Sequence, residues 1–173
     1  MICVGFTSGD SALKKIGFRN ISELDMRFLC QLYATSREDE MAVVPWPEEQ
    51  KSQFIQMQFD AQHQHYQNYF PRAEYLIIEK ERTAIGRIYI DRRDNCIGLI
   101  DIALIPKYRN RGIGSALLHC LIKEAQSDAL AIQIHVEKYN PAMKLYQRLG
   151  FTNLEDKGVY ELMEWRPESV AAI

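Results

Sequence analysis

A basic turn that contains two glycines carries the clearest chemical signal in this chain. Residues 100–116 read IDIALIPKYRNRGIGSA: an apolar run with one aspartate, a proline, a basic turn and two glycines. Apolar residues at helical spacing follow, so the segment predicts a strand, a turn and a helix. A helix N-terminus offers unpaired N–H groups and a partial positive charge, and glycine lets a ligand approach the backbone. The turn therefore predicts an anion site, most naturally for phosphate.

The glycine spacing narrows the kind of phosphate site. The chain contains no GxxxxGK[ST] string, and a GxGxxG fingerprint fails because Leu117 stands at its third glycine. The remaining pattern, [RQ]xxGx[GA], is filled by Arg109, Gly112 and Gly114. Short glycine patterns recur by chance. On this turn alone, glycines that serve only close packing of a strand and a helix therefore stay an alternative.

Composition limits the classes of function. The chain has 173 residues, of which 47% are hydrophobic and 25% charged, which fits a single domain over 1–173 with a substantial core. A net charge of −2 gives no argument for a nucleic-acid partner. No apolar run reaches the ~18–20 residues of a membrane span, and no signal-peptide pattern is present, so a cytoplasmic location is expected. Four scattered cysteines without CxxC, and the lack of HExxH, predict no metal site.

Hydrophobic periodicity predicts the elements that position the turn. The expected helices are 22–36, 48–67, 112–126 and a short one that begins at Asn140. The expected strands are 16–20, 74–80, 83–91, 96–104, 131–136, one that starts at Phe151, and 159–165; residues 2–6 are compatible with a further short strand. An extended, irregular segment is expected between the first two helices. This order predicts an α+β, or mixed three-layer α/β/α, fold.

A second informative stretch, NPAMKLYQRLGF, lies at 140–151. Asn140 is a typical N-cap residue, and Pro141 suits the first helical position. Gly150 marks the end of the short helix, after which the next strand begins. Tyr146 lies inside this helix, where a tyrosine is either part of the core or a functional hydroxyl.

Together the two stretches resemble the GCN5-related N-acetyltransferase superfamily, in particular its small bacterial members. The first resembles the acetyl-CoA turn and the second the segment that follows it, in the right order. The resemblance covers about residues 16–165, although the gap from Asn140 to Tyr146 is one residue shorter than in the commonest form. It implies a mostly antiparallel central sheet, in which strands 100–104 and 131–136 splay apart at the acetyl-CoA site.

The resemblance also assigns the cofactor site. The turn would bind the pyrophosphate, and two backbone positions of the preceding strand would bond the pantetheine arm and polarise the thioester carbonyl. The cofactor-binding residues implied in this way are Ala103, Leu104, Arg109, Arg111, Gly112, Ile113, Gly114, Ser115 and Asn140. For the two arginines, a solvated surface position is the alternative, and for Asn140 a plain helix cap.

The reaction implied is direct attack of a primary amine on acetyl-CoA, without an acyl-enzyme. Tyr146 would be the general acid that protonates the leaving thiolate, because a pKa of ~10 keeps tyrosine protonated. Asp101 is a candidate base, since a carboxylate in an apolar run needs a partner. A structural hydrogen-bonding role for Asp101, Glu137 as a second candidate base, and deprotonation through water stay open.

The sequence does not identify the acceptor. Its pocket is expected from 34–47, 66–72 and the hairpin strands, and the acidic run 38–40 either attracts a cationic amine or is simply solvated. The aromatic and histidine residues near 59–70 are expected to form core or a dimer face, and a homodimer is compatible with the sequence. A non-catalytic acyl-CoA-binding module is the rival function; the presence of Tyr146 favours catalysis.

Overall fold

The structure, a computed structural model, describes residues 11–167. In this range the helices α1 to α5 span Met26–Ser36, Glu38–Ala42, Glu48–Tyr69, Ile113–Ser127 and Met143–Arg148. The strands β1 to β7 span Ile16–Asn20, Glu74–Lys80, Thr83–Arg92, Cys96–Leu104, Ala131–Glu137, Thr152–Lys157 and Tyr160–Trp165. Short 3₁₀ turns cover Ser11–Leu13, Glu23–Asp25 and Pro106–Tyr108. None of the described helices is long and apolar enough to cross a membrane.

The seven strands form one open sheet in the order β1-β2-β3-β4-β5-β7-β6. All neighbouring pairs are antiparallel except β4 and β5, which are parallel. Glu81 and Arg82 join β2 to β3 with φ angles of 51° and 68°, the left-handed pair that suits a two-residue hairpin turn. The sheet is therefore mixed and mostly antiparallel, which confirms the expected fold class.

Helices cover both faces of the sheet and give it two hydrophobic cores. On one face, α4 buries a stripe that includes Leu117 and Leu121 against the sheet. On the other face, Leu29 of α1 and Phe59 of α3 pack on Ile77 of β2. The arrangement is the three-layer α/β/α packing that the order of the elements predicts.

A bulge divides β4 into two parts. Leu99 lies opposite Ile90 and Asp101 lies opposite Tyr89, so that Ile100 is an extra residue on the β4 side. Because side chains alternate along a strand, one extra residue shifts the alternation by one position beyond the bulge.

The same point marks the end of the pairing between the two central strands. Residues 96–99 of β4 pair with residues 131–134 of β5. Beyond them, residues 135–137 pair only with β7 among the described strands, and the β5-facing edge of 100–104 has no strand partner there. The expected splay of the two strands is thus present, directly before the glycine turn.

Two expectations about the elements need correction. The segment between α1 and α3 is not wholly extended, because Glu38–Ala42 forms a helical turn and only residues 43–47 are irregular. The helix expected over 22–36 begins with a 3₁₀ turn, in which Ser22 and Asp25 form a capping box, and becomes an α-helix at Met26. The strand considered for residues 2–6 lies outside the described residues.

Asn140 does not cap α5 directly. The helix begins at Met143 with Ala142 at the N-cap, so Pro141 precedes the helix. The Ala142 N–H donates to Asn140 Oδ1 over 2.9 Å, and the Met143 N–H donates to the Asn140 carbonyl over 3.0 Å. Asn140 therefore closes a turn before the helix, because its side chain replaces a backbone acceptor in that turn.

Candidate active site

The glycine turn forms the open N-terminus of α4. Gly112 is the N-cap residue with φ +78°, a conformation that favours glycine. The Ala116 N–H donates to the Gly112 carbonyl over 2.9 Å, so the amides of Ile113, Gly114 and Ser115 precede the first intrahelical hydrogen bond. A Cβ added at Gly114 would meet nothing within 4 Å. The turn therefore presents several amides and the positive end of a helix to open space, as an anion site requires.

Both arginines of the turn have contacts within the protein. Arg109 Nε donates to the Leu104 carbonyl over 2.7 Å, and another guanidinium nitrogen donates to Thr35 Oγ1 of α1 over 2.6 Å. The Arg111 guanidinium carbon lies 5.7 Å from the centre of the Tyr108 ring. Arg109 thus ties the turn to the end of β4 and to α1. Phosphate contacts of both arginines stay predictions.

The gap between β4 and β5 offers hydrogen-bonding groups to a ligand. One edge of 100–104 pairs with β3, where Ala103 lies opposite Arg87 and Leu104 opposite Gly86. The other edge faces the gap. An extended ligand that lay there would find backbone N–H and C=O groups to pair with, as an added strand does. This edge runs directly into the turn, so one elongated ligand can reach both.

Asp101 lies on β4 one residue beyond the bulge, with its side chain about one-fifth exposed. It forms an ion pair with Arg87, which is 4% exposed, and lies opposite Tyr89 in the register. Burial alone would lower the pKa of Arg87, but the Asp101 charge raises it above its ordinary value. Burial raises the pKa of Tyr89 to about 12. The aspartate thus has the partner that a carboxylate in an apolar strand requires.

The charge of Asp101 also raises the pKa of two further tyrosines. Tyr146 of α5 is 4% exposed and packs edge-on against Phe151, with the ring centres 5.7 Å apart. Burial, and then the charge of Asp101, raise the pKa of Tyr146 above its usual range. The same two causes raise the pKa of Tyr66 of α3. Tyr146 is therefore a core residue of its helix and, at neutral pH, a protonated hydroxyl near the gap.

Glu137, the other candidate base, has a structural partner. Arg37, between α1 and α2, donates to its carboxylate over 2.8 Å and also pairs with Glu40 over 2.9 Å. The Arg37 guanidinium carbon lies 5.5 Å from the centre of the Tyr33 ring. These contacts join the α1–α2 segment to the end of β5, on the side where the acceptor pocket is expected.

Aromatic contacts fix part of the segments that are expected to form the walls of that pocket. Trp46 packs edge-on against Phe54 of α3, with ring centres 5.5 Å apart, and keeps 38% of its surface exposed. In the aromatic segment of α3, Phe59 is core and His63 stacks on it, whereas Tyr69 is 71% exposed. The expectation of core therefore holds for the start of this segment. A dimer face at its end stays a prediction.

A cavity of about 330 Å³ lies elsewhere, at the closed end of the β4–β5 pairing. Its walls include Cys96, Gln133 and Glu164. Glu164 already accepts hydrogen bonds from Gln133 over 2.9 Å and from Arg166 over 2.5 Å. Because Cys96 is the first residue of β4, this cavity is separated from the gap by the paired length of the two strands.

Comparison with known proteins decides the family. The acetyltransferase (GNAT) family matches residues 29–151, which include both the glycine turn and the short helix. The chain belongs to this family. A putative ribosomal-protein alanine N-acetyltransferase of Bacillus subtilis (strain 168) is 31% identical over 83 residues, which cover 46% of this chain and 54% of that protein. The chain therefore spans about half the length of that curated relative.

Solved structures of the GNAT type share the fold. The PaiA N-acetyltransferase of Thermoplasma acidophilum, in complex with coenzyme A, matches with a TM-score of 0.65 at 20% identity, over 87% of this chain and 98% of that one. An acetyltransferase of Thermus thermophilus matches with a TM-score of 0.62 at 13% identity, over 88% and 97% of the two chains. The family uses acetyl-CoA, and the open helix N-terminus and the unpaired strand edge of this GNAT protein fit that group.

Sequence reasoning did not identify several residues that lie next to the site. Arg87, Tyr66 and Tyr89 surround Asp101, and Thr35 and Arg37 bind the turn and the end of β5. The signal available for Arg87 is its position in β3, where a charged residue stands two positions before Tyr89 and therefore on the same face. Among residues 11–167, no group of three or more His, Cys, Asp or Glu side chains is placed to hold a metal ion.

Proposed function

We propose that this protein transfers the acetyl group of acetyl-CoA to a primary amine by direct attack. The observation that carries the proposal is the separation of β4 from β5 beside the open N-terminus of α4. The Asp101 carboxylate lies at this separation, and the buried Tyr146 hydroxyl is close enough to feel its charge. These observations support a single site that combines an anion-binding turn, an unpaired strand edge, an acid and a carboxylate.

In the proposed reaction, Asp101 accepts one proton and Tyr146 donates another. Acetyl-CoA supplies the acetyl group and a thiol leaving group. An alkylamine with a pKa near ~10.4 must first lose a proton, which Asp101 accepts directly or through water. The amine lone pair then attacks the thioester carbonyl, and the C–S bond breaks. Tyr146 gives its proton to the departing sulfur and regains one from the new amide nitrogen. The products are one amide, one thiol and one proton.

Calorimetric titration of acetyl-CoA tests the donor site. We expect saturable binding by the wild type and none by Gly112→Glu, because a negative side chain at the turn repels the pyrophosphate. Gly158→Glu is the matched control, since Gly158 also has a left-handed φ of +79° and a Cβ there would meet nothing within 4 Å. Equal binding by the wild type and Gly112→Glu would place the donor elsewhere.

A thiol-release assay with a panel of amines tests the transfer. The panel contains spermidine, a peptide that ends in free lysine and a peptide that begins with alanine, the last because the curated relative is named for alanine N-acetylation. Tyr146→Phe should lower kcat by about 10²–10⁴-fold, as loss of a general acid does, with the Kd for acetyl-CoA unchanged. Tyr139→Phe is the control, because Tyr139 is 98% exposed.

The rival function is a module that binds acyl-CoA without catalysis. Tight acetyl-CoA binding together with no thiol release from any amine of the panel would favour it. The acceptor class, a cytoplasmic location and a homodimer are further parts of the proposal. Thiol release across the panel, fractionation of cells and sedimentation of the purified chain test them in turn.

A further inference from the structure

A buried arginine lies beside the candidate base. Arg87 is 4% exposed and stands opposite Ala103 of β4, on the face of the sheet that α3 covers. Its guanidinium forms an ion pair with Asp101 and donates to Gln62 Oε1 of α3 over 2.9 Å. Its carbon atom Cζ lies 5.1 Å from the centre of the Tyr89 ring. Every one of these contacts lies in the immediate surroundings of Asp101.

Burial of this arginine is poorly explained by stability alone. An ion pair taken out of water loses its hydration, and apolar residues of similar size often stabilise a core as well or better. Moreover, Arg87 Nε and the Tyr89 hydroxyl are buried and have no hydrogen-bond partner in the described part of the chain. An arginine kept only to complete a hydrogen-bond network would have its donors satisfied. The arrangement therefore points to a role at the carboxylate.

The groups around the carboxylate define what the arginine does there. Those that interact electrostatically with Asp101 are Arg87 and Tyr89 of β3, Tyr66 of α3 and Tyr146 of α5. Three of these four are tyrosines held protonated by burial. Arg87 thus supplies the one positive charge among these four groups, and its ion pair fixes the direction of one carboxylate oxygen.

We propose that Arg87 is a positioning residue for the acetyl transfer proposed above: its ion pair holds the Asp101 carboxylate oriented at the strand gap, ready to accept the proton of the acceptor amine. The inference rests on the proposed function for its consequence in catalysis. The ion pair of Arg87 with Asp101 is independent of any acceptor. The two parts therefore need separate measurements.

Infrared spectroscopy of the full chain, with ¹³C-labelled aspartate at pH 7, tests the ion pair between Arg87 and Asp101. The Asp101 band is isolated by subtraction of the Asp101→Asn spectrum. We expect a carboxylate band in the wild type and in Arg87→Lys, which keeps the charge. In Arg87→Gln, which removes it, we expect the asymmetric carboxylate stretch to move from its wild-type frequency, because the ion pair is lost. An unchanged carboxylate band in Arg87→Gln would overturn the proposal, whatever amine the protein acetylates.

Kinetics with the panel amine that the wild type acetylates fastest tests the orientation. Arg87→Gln should lower kcat about 100-fold, the scale of a lost general base, with the Kd for acetyl-CoA unchanged. Arg87→Lys should recover at least a tenth of the wild-type kcat but not all of it. In an Asp101→Asn background, Arg87→Gln should change kcat less than about threefold, since residues that act as one unit are not additive.

The outcomes distinguish the proposed role of Arg87 from the proposed acetyl transfer. A full 100-fold loss for Arg87→Gln in the Asp101→Asn background would show that Arg87 does not act through Asp101. Wild-type kcat in Arg87→Lys would exclude a need for the planar guanidinium, and this variant decides the question if Arg87→Gln fails to fold. If the wild type acetylates no amine of the panel, the proposed function fails, while the infrared result still decides whether Arg87 holds the Asp101 carboxylate.

Discussion

A methyl group added at Gly86 should disturb the edge of β4 that faces the gap. A Cβ at this position would lie 2.3 Å from the Ala103 carbonyl oxygen and 2.8 Å from Leu104 Cδ2. Because ordinary contact begins near 3.4 Å, the β4 backbone must retreat by about 1 Å. Overpacking of this kind costs about 1–3 kcal/mol, and the gain of about 0.4–1 kcal/mol from a less flexible unfolded chain offsets part of it. We therefore expect Gly86→Ala to lose about 1–2 kcal/mol of unfolding free energy.

Urea unfolding and calorimetric titration of acetyl-CoA measure the two consequences. Since the displaced residues belong to the proposed pantetheine edge, the Kd should rise about fivefold or more, which is about 1 kcal/mol. Gly17→Ala is the matched control: Gly17 also lies in a strand, and a Cβ there would meet nothing within 4 Å. If Gly86→Ala had the stability and the affinity of Gly17→Ala, the close approach of β3 and β4 would not limit the site.

Two further predictions concern the N-terminal cap and the turn. Hydrogen bonding from Arg19 lowers the pKa of Asp25 to about 2, so the ionised carboxylate contributes stability above pH ~4 that is lost as the pH falls through ~2. Asp25→Asn should therefore lower the unfolding free energy at pH 7 by about 1–2 kcal/mol and flatten its decline between pH 4 and 2, as urea titrations at several pH values would show. Gly112→Ala should lower the unfolding free energy by about 1 kcal/mol and weaken acetyl-CoA binding, because residue 112 has a left-handed φ. Gly114→Ala should change neither the melting temperature nor the calorimetric Kd appreciably, since a Cβ there meets nothing within 4 Å.

The elements that the sequence predicts well are those with strong local signals. The strands before and after Glu81-Arg82 are rich in β-branched and aromatic residues, and the helix that follows Gly112 has a continuous apolar stripe. The position of the glycine turn follows from Pro106, which ends β4 because it lacks a donor. The fold class and the anion-binding turn were therefore accessible without coordinates.

The parts that the sequence does not predict depend on tertiary contacts. The five-residue helix Glu38–Ala42 is too short to be stable alone and is joined to the end of β5 through Arg37 and Glu137. The pairing of Arg87 with Asp101 requires the register of β3 on β4, including the bulge, and periodicity does not give a register. Asn140 has the chemistry of a cap, but its side chain serves a turn instead.

The bulge at Ile100 reverses which residues of β4, odd or even in number, point to a given face of the sheet. Leu99, before it, and Ile102, after it, contact the same apolar core although they are three residues apart. Asp101 is thereby turned to the opposite face, where Arg87 meets it. No substitution within a regular strand produces this inversion; it takes the insertion of a single residue. Conversely, regular alternation through Ile100 would direct the carboxylate into the apolar core under α4, so the bulge is as much a determinant of the site as any side chain.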